Sequence, residues 1–323
     1  MDKKFKKVLI LCKGDSVTGG SELIHQFCHE LNSLNKQSFV CYYPFEKKYN
    51  IPKEYLIYNV SQSRLVDSED TLIILPEVAT KFAWIIKKSS VGIWWLSIDN
   101  YYRKKGDNLL KDKIKYFKDL LRFRLMPISL MRNFLHFAQS QYAYLHLDKL
   151  KLNPRFLSDY LNPIHFNDTL MSKENIILYN PVKGRTITDS LIKKYRSLKF
   201  IPLEKLDSQQ VKNLFRRAKL YIDFGNHPGK DRMPREAVMS DCCIITGLRG
   251  SAHNDVDIPI PNQYKLDDNQ VCRNDLFYQL VNDIFKNFDQ HVMNFSPYKD
   301  RIKIEQKIFQ DQVKSIFSDL LHG

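Results

Sequence analysis

Tyr221-Ile-Asp-Phe-Gly-Asn-His-Pro-Gly-Lys-Asp-Arg-Met-Pro-Arg-Glu-Ala-Val-Met-Ser240 sets the fold of its half of the chain. Leu220–Phe224 is a short apolar run that reads as a strand, and the Gly, His and Pro that follow read as a loop. Pro234 then suits the opening of a helix over Pro234–Ser240, with Glu236 in its first turn. Lys230 and Arg232 beside helix N–H groups suit a diphosphate, while a carboxylate at Glu236 can accept from a ribose hydroxyl pair. The alternative for Glu236 is simple complementation of the helix dipole.

Reading outward from this stretch, the same pattern recurs on both sides. Cys242–Thr246 is a second strand, and it exits into Gly247-Leu-Arg-Gly-Ser-Ala252, where Arg249, Gly250 and Ser251 could meet an anion. Upstream, Asn175–Tyr179 is a strand that exits into Asn180-Pro-Val-Lys-Gly-Arg185, placing Lys183 and Gly184 at its carboxyl end with Arg185 as a second cation. Lys193–Arg196 and Leu214–Ala218 continue the alternation, and the last fifty residues read as helix. Three strand exits carrying glycine and cations predict one binding edge, although each alone is equally a solvated turn.

The first half alternates in the same way. Val8–Cys12 is a strand, Thr18-Gly-Gly-Ser21 a loop, and Ser21–Asn32 a helix with Leu23, Phe27 and Leu31 on one face. Gly19 and Gly20 would let the backbone approach a phosphate; a tight turn is the plainer alternative. Phe39–Tyr43, Thr71–Leu75, Val91–Leu96 and Phe134–Gln139 are further strands, with helices at Phe82–Lys88 and Gln141–Lys149. Such alternation predicts parallel sheets flanked by helices. Glu77 and Asp99 at strand ends, and Asp15 after them, are the carboxylates able to serve as a base, each also readable as a cap. Trp94 and Trp95 offer a sugar platform or core packing.

The composition excludes several classes. At 323 residues with 43% hydrophobic and 27% charged residues, the chain suits two ordinary α/β domains, expected at 1–166 and 167–323 with the final helix packing back on the first. Met1–Cys12 reads as a first strand and not a signal peptide, and no apolar run spans a bilayer, so a cytoplasmic protein is expected. The six cysteines show no zinc spacing. Asp255-Val-Asp257 is the tight DxD match, in a surface loop, and no metal is assigned to it. The net charge is +14, and half of that excess lies between Arg103 and Arg132, where Leu109, Leu110, Ile114, Phe117, Leu120, Leu121, Phe123 and Leu125 are interleaved. Such a segment suits peripheral contact with an anionic membrane, or a surface helix packing its stripe on its own domain. No nucleic-acid motif accompanies the charge, so nucleic acid is not expected as a partner.

The order of a Gly-Gly loop, a Lys-Gly exit, a Pro-x-Glu-Ala helix and then Ile245-Thr-Gly-Leu-Arg-Gly-Ser251 resembles the glycosyltransferases of GT-B architecture, in particular bacterial capsule and O-antigen transferases. Trp94-Trp-Leu-Ser-Ile-Asp-Asn-Tyr101 and Ala138-Gln-Ser-Gln-Tyr-Ala143 are similar to the same group. The resemblance implies two Rossmann-like domains facing a central cleft, with C-terminal helices. It implies a nucleotide-sugar donor held by the second domain, with Lys183 and Arg232 or Lys230 near its diphosphate and Glu236 near its ribose. A surface-glycan or lipid-linked acceptor would enter from the first domain, and no metal cofactor is implied. Retaining members usually carry a glutamate eight residues before the one matched by Glu236. Here that position is Pro228, so retention and inversion both stand open. A sugar-nucleotide epimerase of the same fold and a non-enzymatic nucleic-acid-binding protein are the alternatives.

Overall fold

A strand apolar on both faces belongs in the middle of a sheet. Val8–Cys12 is such a run, with every residue fully buried. The computed structural model describes residues 5–104, 109–166, 171–268, 271 and 275–321. Lys105 and Asp107 of the basic segment, Cys272, and the start of the second expected domain at 167–168 lie outside them.

The chain forms two compact units, Met1–Asp159 with Gln306–Gly323, and Tyr160–Glu305. In the first, β1 (Lys7–Lys13), β2 (Gln37–Tyr43), β3 (Thr71–Pro76), β4 (Ser90–Trp95), β5 (Leu135–Ala138) and β6 (Arg155–Phe156) make a parallel sheet of order β2-β1-β3-β4-β5-β6. Helix α1 (Gly19–Ser33) joins β1 to β2; its N-cap Thr18 accepts from the Ser21 N–H, and Leu23, Phe27 and Leu31 are buried. Helices α2 (Ile98–Tyr101), α3 (Leu109–Leu121) and α4 (Gln141–Lys149) follow. Because β2 and β3 lie on opposite sides of β1, the sheet reverses direction between β1 and β3. Open parallel sheets bind ligands at the carboxyl side of such a reversal.

The second unit repeats the design with β7 (Glu174–Tyr179), β8 (Lys199–Pro202), β9 (Ala218–Asp223) and β10 (Cys243–Thr246) in the order β10-β9-β7-β8, all parallel. Its helices include α5 (Arg185–Lys194), α6 (Ser208–Arg217) and α7 (Arg232–Met239). Here the reversal falls between β7 and β9. The C-terminal helix Ser296–Leu320 contributes Glu305 to this unit and Phe309 and Phe317 to the first, where Phe309 stacks on Trp94 and Phe317 packs on Phe27 and Phe137.

Several sequence expectations are corrected. The segment Phe82–Lys88 is not a helix of its own: a 3-10 helix runs Glu77–Trp84, opened by Pro76, and the Lys87, Lys88 and Ser89 N–H groups donate to Asp67 in a turn. Lys193–Arg196 lies at the end of α5 and Leu214–Ala218 at the end of α6; the strand between them is the short β8. Helix α7 opens at Arg232, with Pro234 in its first turn, which moves Glu236 to the second turn. Trp94 and Trp95 are both buried, donating to the Leu157 carbonyl and to His136, so neither ring offers a sugar platform. On α3, Leu110, Ile114, Phe117 and Leu121 are exposed, while Leu120, and Leu125 beyond the helix, pack on the core of the unit.

Candidate functional site

The exits after β7, β9 and β10 meet at the carboxyl edge of the second sheet, and glycines make the meeting close. Gly184 has a left-handed backbone (φ 61°), and a Cβ there would lie 2.5 Å from the Phe224 carbonyl carbon. At Gly250 (φ 63°) a Cβ would lie 2.1 Å from the His227 carbonyl oxygen. Only glycine takes both the conformation and the approach. Ser251, fully buried, seals the third exit by donating through Oγ to the Gly229 carbonyl (2.6 Å) and through its N–H to that of His227 (2.8 Å).

Charge gathers where these loops touch. The Lys183 ammonium lies 2.7 Å from Asp231 Oδ2. His227, fully buried, has Nδ1 3.0 Å from the same oxygen and Nε2 3.7 Å from Asp223 Oδ1. Asp223 also accepts from the Tyr221 hydroxyl (3.0 Å) and the Gly225 N–H (2.9 Å). Burial would raise the Asp231 carboxyl, but Lys183 and His227 outweigh it and hold it down at about 2. Burial likewise opposes the charged forms of His227 and Lys183, yet Asp223 and Asp231 keep the pKa of His227 raised, and Asp231 and Asp223 that of Lys183. Committed to these partners, Asp231 gives α7 no side-chain cap although it stands at the N-cap position. One ligand atom from each of Asp223, His227 and Asp231 lies within 4.8 Å of the others, close enough to hold a metal ion, but the Lys183 ammonium already sits on that group.

The remaining predicted cations have partners. Lys230 pairs with Glu305 Oε1 (2.8 Å), and Glu305 Oε2 holds the buried Arg235 (2.8 Å). Arg232 pairs with Glu236 one turn along α7, and Arg249 with Asp268. Arg185 pairs with Asp189 on α5 (3.1 Å). Asp255 pairs with Lys265 (2.7 Å), and Asp257 accepts from Asn254 (2.9 Å), so the Asp-Val-Asp tract is a closed turn.

In the first unit, Gly19 and Gly20 open α1 after β1 and Glu77 directly follows β3, so all three lie at the carboxyl ends of the two strands that flank the reversal. A Cβ at Gly19 would meet nothing within 4 Å, and one at Gly20 only Leu96 Cδ1 at 3.7 Å. Neither glycine is therefore required by its protein neighbours. Glu77 is buried and accepts from the Leu96 N–H (3.1 Å) at the end of β4. Burial pushes its carboxyl up to about 7, against the pull of backbone N–H groups and Asn100. Asp99, also buried, goes elsewhere: Tyr142 donates to it (3.2 Å) and Lys104 lies at 3.4 Å. Asp15 lies in the loop after β1 with a left-handed backbone (φ 51°).

Sequence reasoning passed over Asp223, His227, Asp231, Arg235 and Glu305. Asp223 and Asp231 could have been found, as the last residue of a strand and the residue before a Pro-containing helix start. Glu305 could not, because its partners lie 70 and 75 residues earlier in the chain.

No family model matches the sequence, and no curated protein matches it. Among solved structures the chain is similar to Anabaena HepE in complex with UDP-glucose (10% identity, 97% of this chain and 100% of that one, TM-score 0.65). It is similar to a glycosyltransferase from Rickettsia africae (14%, 97% and 94%, TM-score 0.56). It is also similar to WaaG, a glycosyltransferase involved in lipopolysaccharide biosynthesis (10%, 95% and 99%, TM-score 0.55). The architecture is GT-B: two Rossmann-like α/β units, matched over nearly the whole chain.

Proposed function

We propose that this chain is a glycosyltransferase that moves a sugar from a nucleotide-sugar donor to a surface-glycan acceptor. The observation that carries the reading is the meeting of three strand exits at the reversal point of the second sheet, around Lys183 and an α7 N-terminus lacking a side-chain cap. Helix N–H groups with Lys183 and Arg232 suit the donor diphosphate and would stabilise its charge as it leaves. Glu236, steered by Arg232, takes the ribose hydroxyls; Arg249, Gly250 and Ser251 close the far side of the loop cluster. Lys230, held by Glu305, fixes the loop. HepE was solved with UDP-glucose, which supports a donor of that class.

On the acceptor side, Gly19 faces open space, and Gly20 and Glu77 share Leu96 as a neighbour. For an inverting reaction Glu77 would take the proton from the acceptor hydroxyl as its oxygen bonds to the anomeric carbon and the bond to the diphosphate breaks. A carboxyl near 7 is matched to that task, and Asp99 is turned instead to Tyr142 and Lys104, which favours Glu77. The WaaG likeness supports a surface-glycan acceptor, with a lipid-linked one as its particular form.

Thermal-shift measurements against UDP-, GDP-, CMP- and dTDP-linked sugars test the reading, since a ligand of the folded state raises its melting temperature. One nucleotide class should stabilise the wild type, and Glu236→Ala and Lys183→Ala should weaken that binding roughly 10-fold or more, the scale of one lost charge-assisted contact. Turnover should persist in EDTA, because Lys183 and helix N–H groups supply the positive charge. Stabilisation by oligonucleotides alone would point to a nucleic-acid-binding protein, and donor turnover without acceptor to an epimerase.

A further inference from the structure

Helix α3 presents its apolar side outward. Leu110, Ile114, Phe117 and Leu121 follow one another at steps of four, three and four residues, a single stripe of an α-helix. All four are exposed, at 69, 59, 60 and 81%. Phe123 (66%), past the end of the helix, sets its ring edge-on to Trp84 (5.5 Å). The opposite side holds α3 to its unit: Asp119, buried, pairs with Arg103 (2.8 Å), Tyr116 packs on Tyr101 and Tyr102, and Leu120 packs against the core.

Cations border the stripe. Lys111, Lys115, Lys118 and Arg122 repeat the same four, three, four spacing and so form a row along one edge of it. Beside them a cavity of about 480 Å³ is lined by Val78, Lys81, Arg103, Lys115, Asp119 and Arg124, four cations against one carboxylate. Among the described residues no helix is long and apolar enough to cross a membrane. An exposed apolar stripe edged by lysines is the pattern of a helix lying in the plane of a bilayer surface. A protein partner for so basic a face would need a matching acidic rim, whereas an anionic leaflet supplies that charge everywhere.

We propose that α3 docks the first unit on an anionic membrane, with Leu110, Ile114, Phe117 and Leu121 at the acyl boundary, the lysine row on the headgroups and the cavity over a lipid phosphate. The proposal stands apart from the transferase reading, since docking needs no nucleotide sugar.

Co-sedimentation of the full chain with vesicles tests it. Binding to phosphatidylcholine containing about one-third phosphatidylglycerol should exceed binding to pure phosphatidylcholine by roughly 10-fold or more and fall as salt is added. Ile114→Ser with Phe117→Ser should abolish it, as should Lys111→Ser with Lys115→Ser and Lys118→Ser, while both variants keep the wild-type melting temperature because the side chains are exposed. Equal binding by wild type and variants, or no preference for anionic vesicles, overturns the proposal. So does a dimer in analytical ultracentrifugation that Phe117→Ser dissociates while vesicles remain unbound, which would assign the stripe to a second copy.

Discussion

Glu77 shows how one residue ties stability to chemistry. Its carboxyl is raised from an ordinary value of 4.5 to about 7 by burial, so between those pH values the folded chain holds a proton that the unfolded chain has lost. Stability therefore falls as pH rises through that window, by roughly 1–3 kcal/mol, and the full penalty is present above it. Glu77→Gln keeps an acceptor for the Leu96 N–H and should remove this slope, melting higher than wild type at pH 8 and equally at pH 4. If Glu77 is the base, the same variant loses most of its turnover, and wild-type turnover climbs through pH 7 as the carboxylate forms. A variant with unchanged turnover and a flat melting profile would assign both properties elsewhere. Asp231 runs the other way: its carboxyl lies at about 2, so its contribution is present above about 4 and lost as pH falls toward 2.

At the scale of elements, the glycines of the two sheet edges differ in kind. Gly250 is held by the fold, with a left-handed φ of 63° and the His227 carbonyl 2.1 Å from any Cβ. Gly250→Ala should lower stability by roughly 2–4 kcal/mol in thermal or urea unfolding, as backbone strain adds to the clash. Gly19 opens α1 with nothing within 4 Å of a Cβ, so Gly19→Ala should leave stability unchanged or higher by up to ~1 kcal/mol. If the space serves a ligand, the same change lowers turnover; full activity in Gly19→Ala would make this glycine a neutral helix opener. These two cases look identical in sequence, where each is a glycine after a strand. Only the surroundings separate a glycine demanded by neighbouring backbone from one facing open space.

For the molecule as a whole, the C-terminal helix Ser296–Leu320 matters most, because residues from Gln306 onward complete the first unit. Phe309 and Phe317 are 1% and 0% exposed, against Trp94, Phe27 and Phe137. Burial of each large apolar side chain stabilises by about 1.5–3 kcal/mol, and Val313 and Ile316 add to the pair. Ending the chain at Glu305 should thus remove an amount comparable to the whole stability of a domain. The expected outcome is loss of one thermal transition, with rapid proteolysis of the first unit and survival of the second. Two intact transitions would mean that the first core closes without the helix.

Periodicity and punctuation determined much of this protein. The runs at Val8–Cys12, Thr71–Leu75 and Cys242–Thr246 are apolar on both faces, and a glycine or proline just behind each marks the strand end, so parallel α/β units were legible locally. What only the tertiary structure decided is pairing. Lys183 to Asp231, Arg235 to Glu305 and Glu77 to Leu96 join residues far apart in the chain, and a charge carries no mark of its partner. The direction in which the α3 stripe faces was decided in the same way, because helical spacing fixes which residues share a face and not whether that face meets protein or solvent.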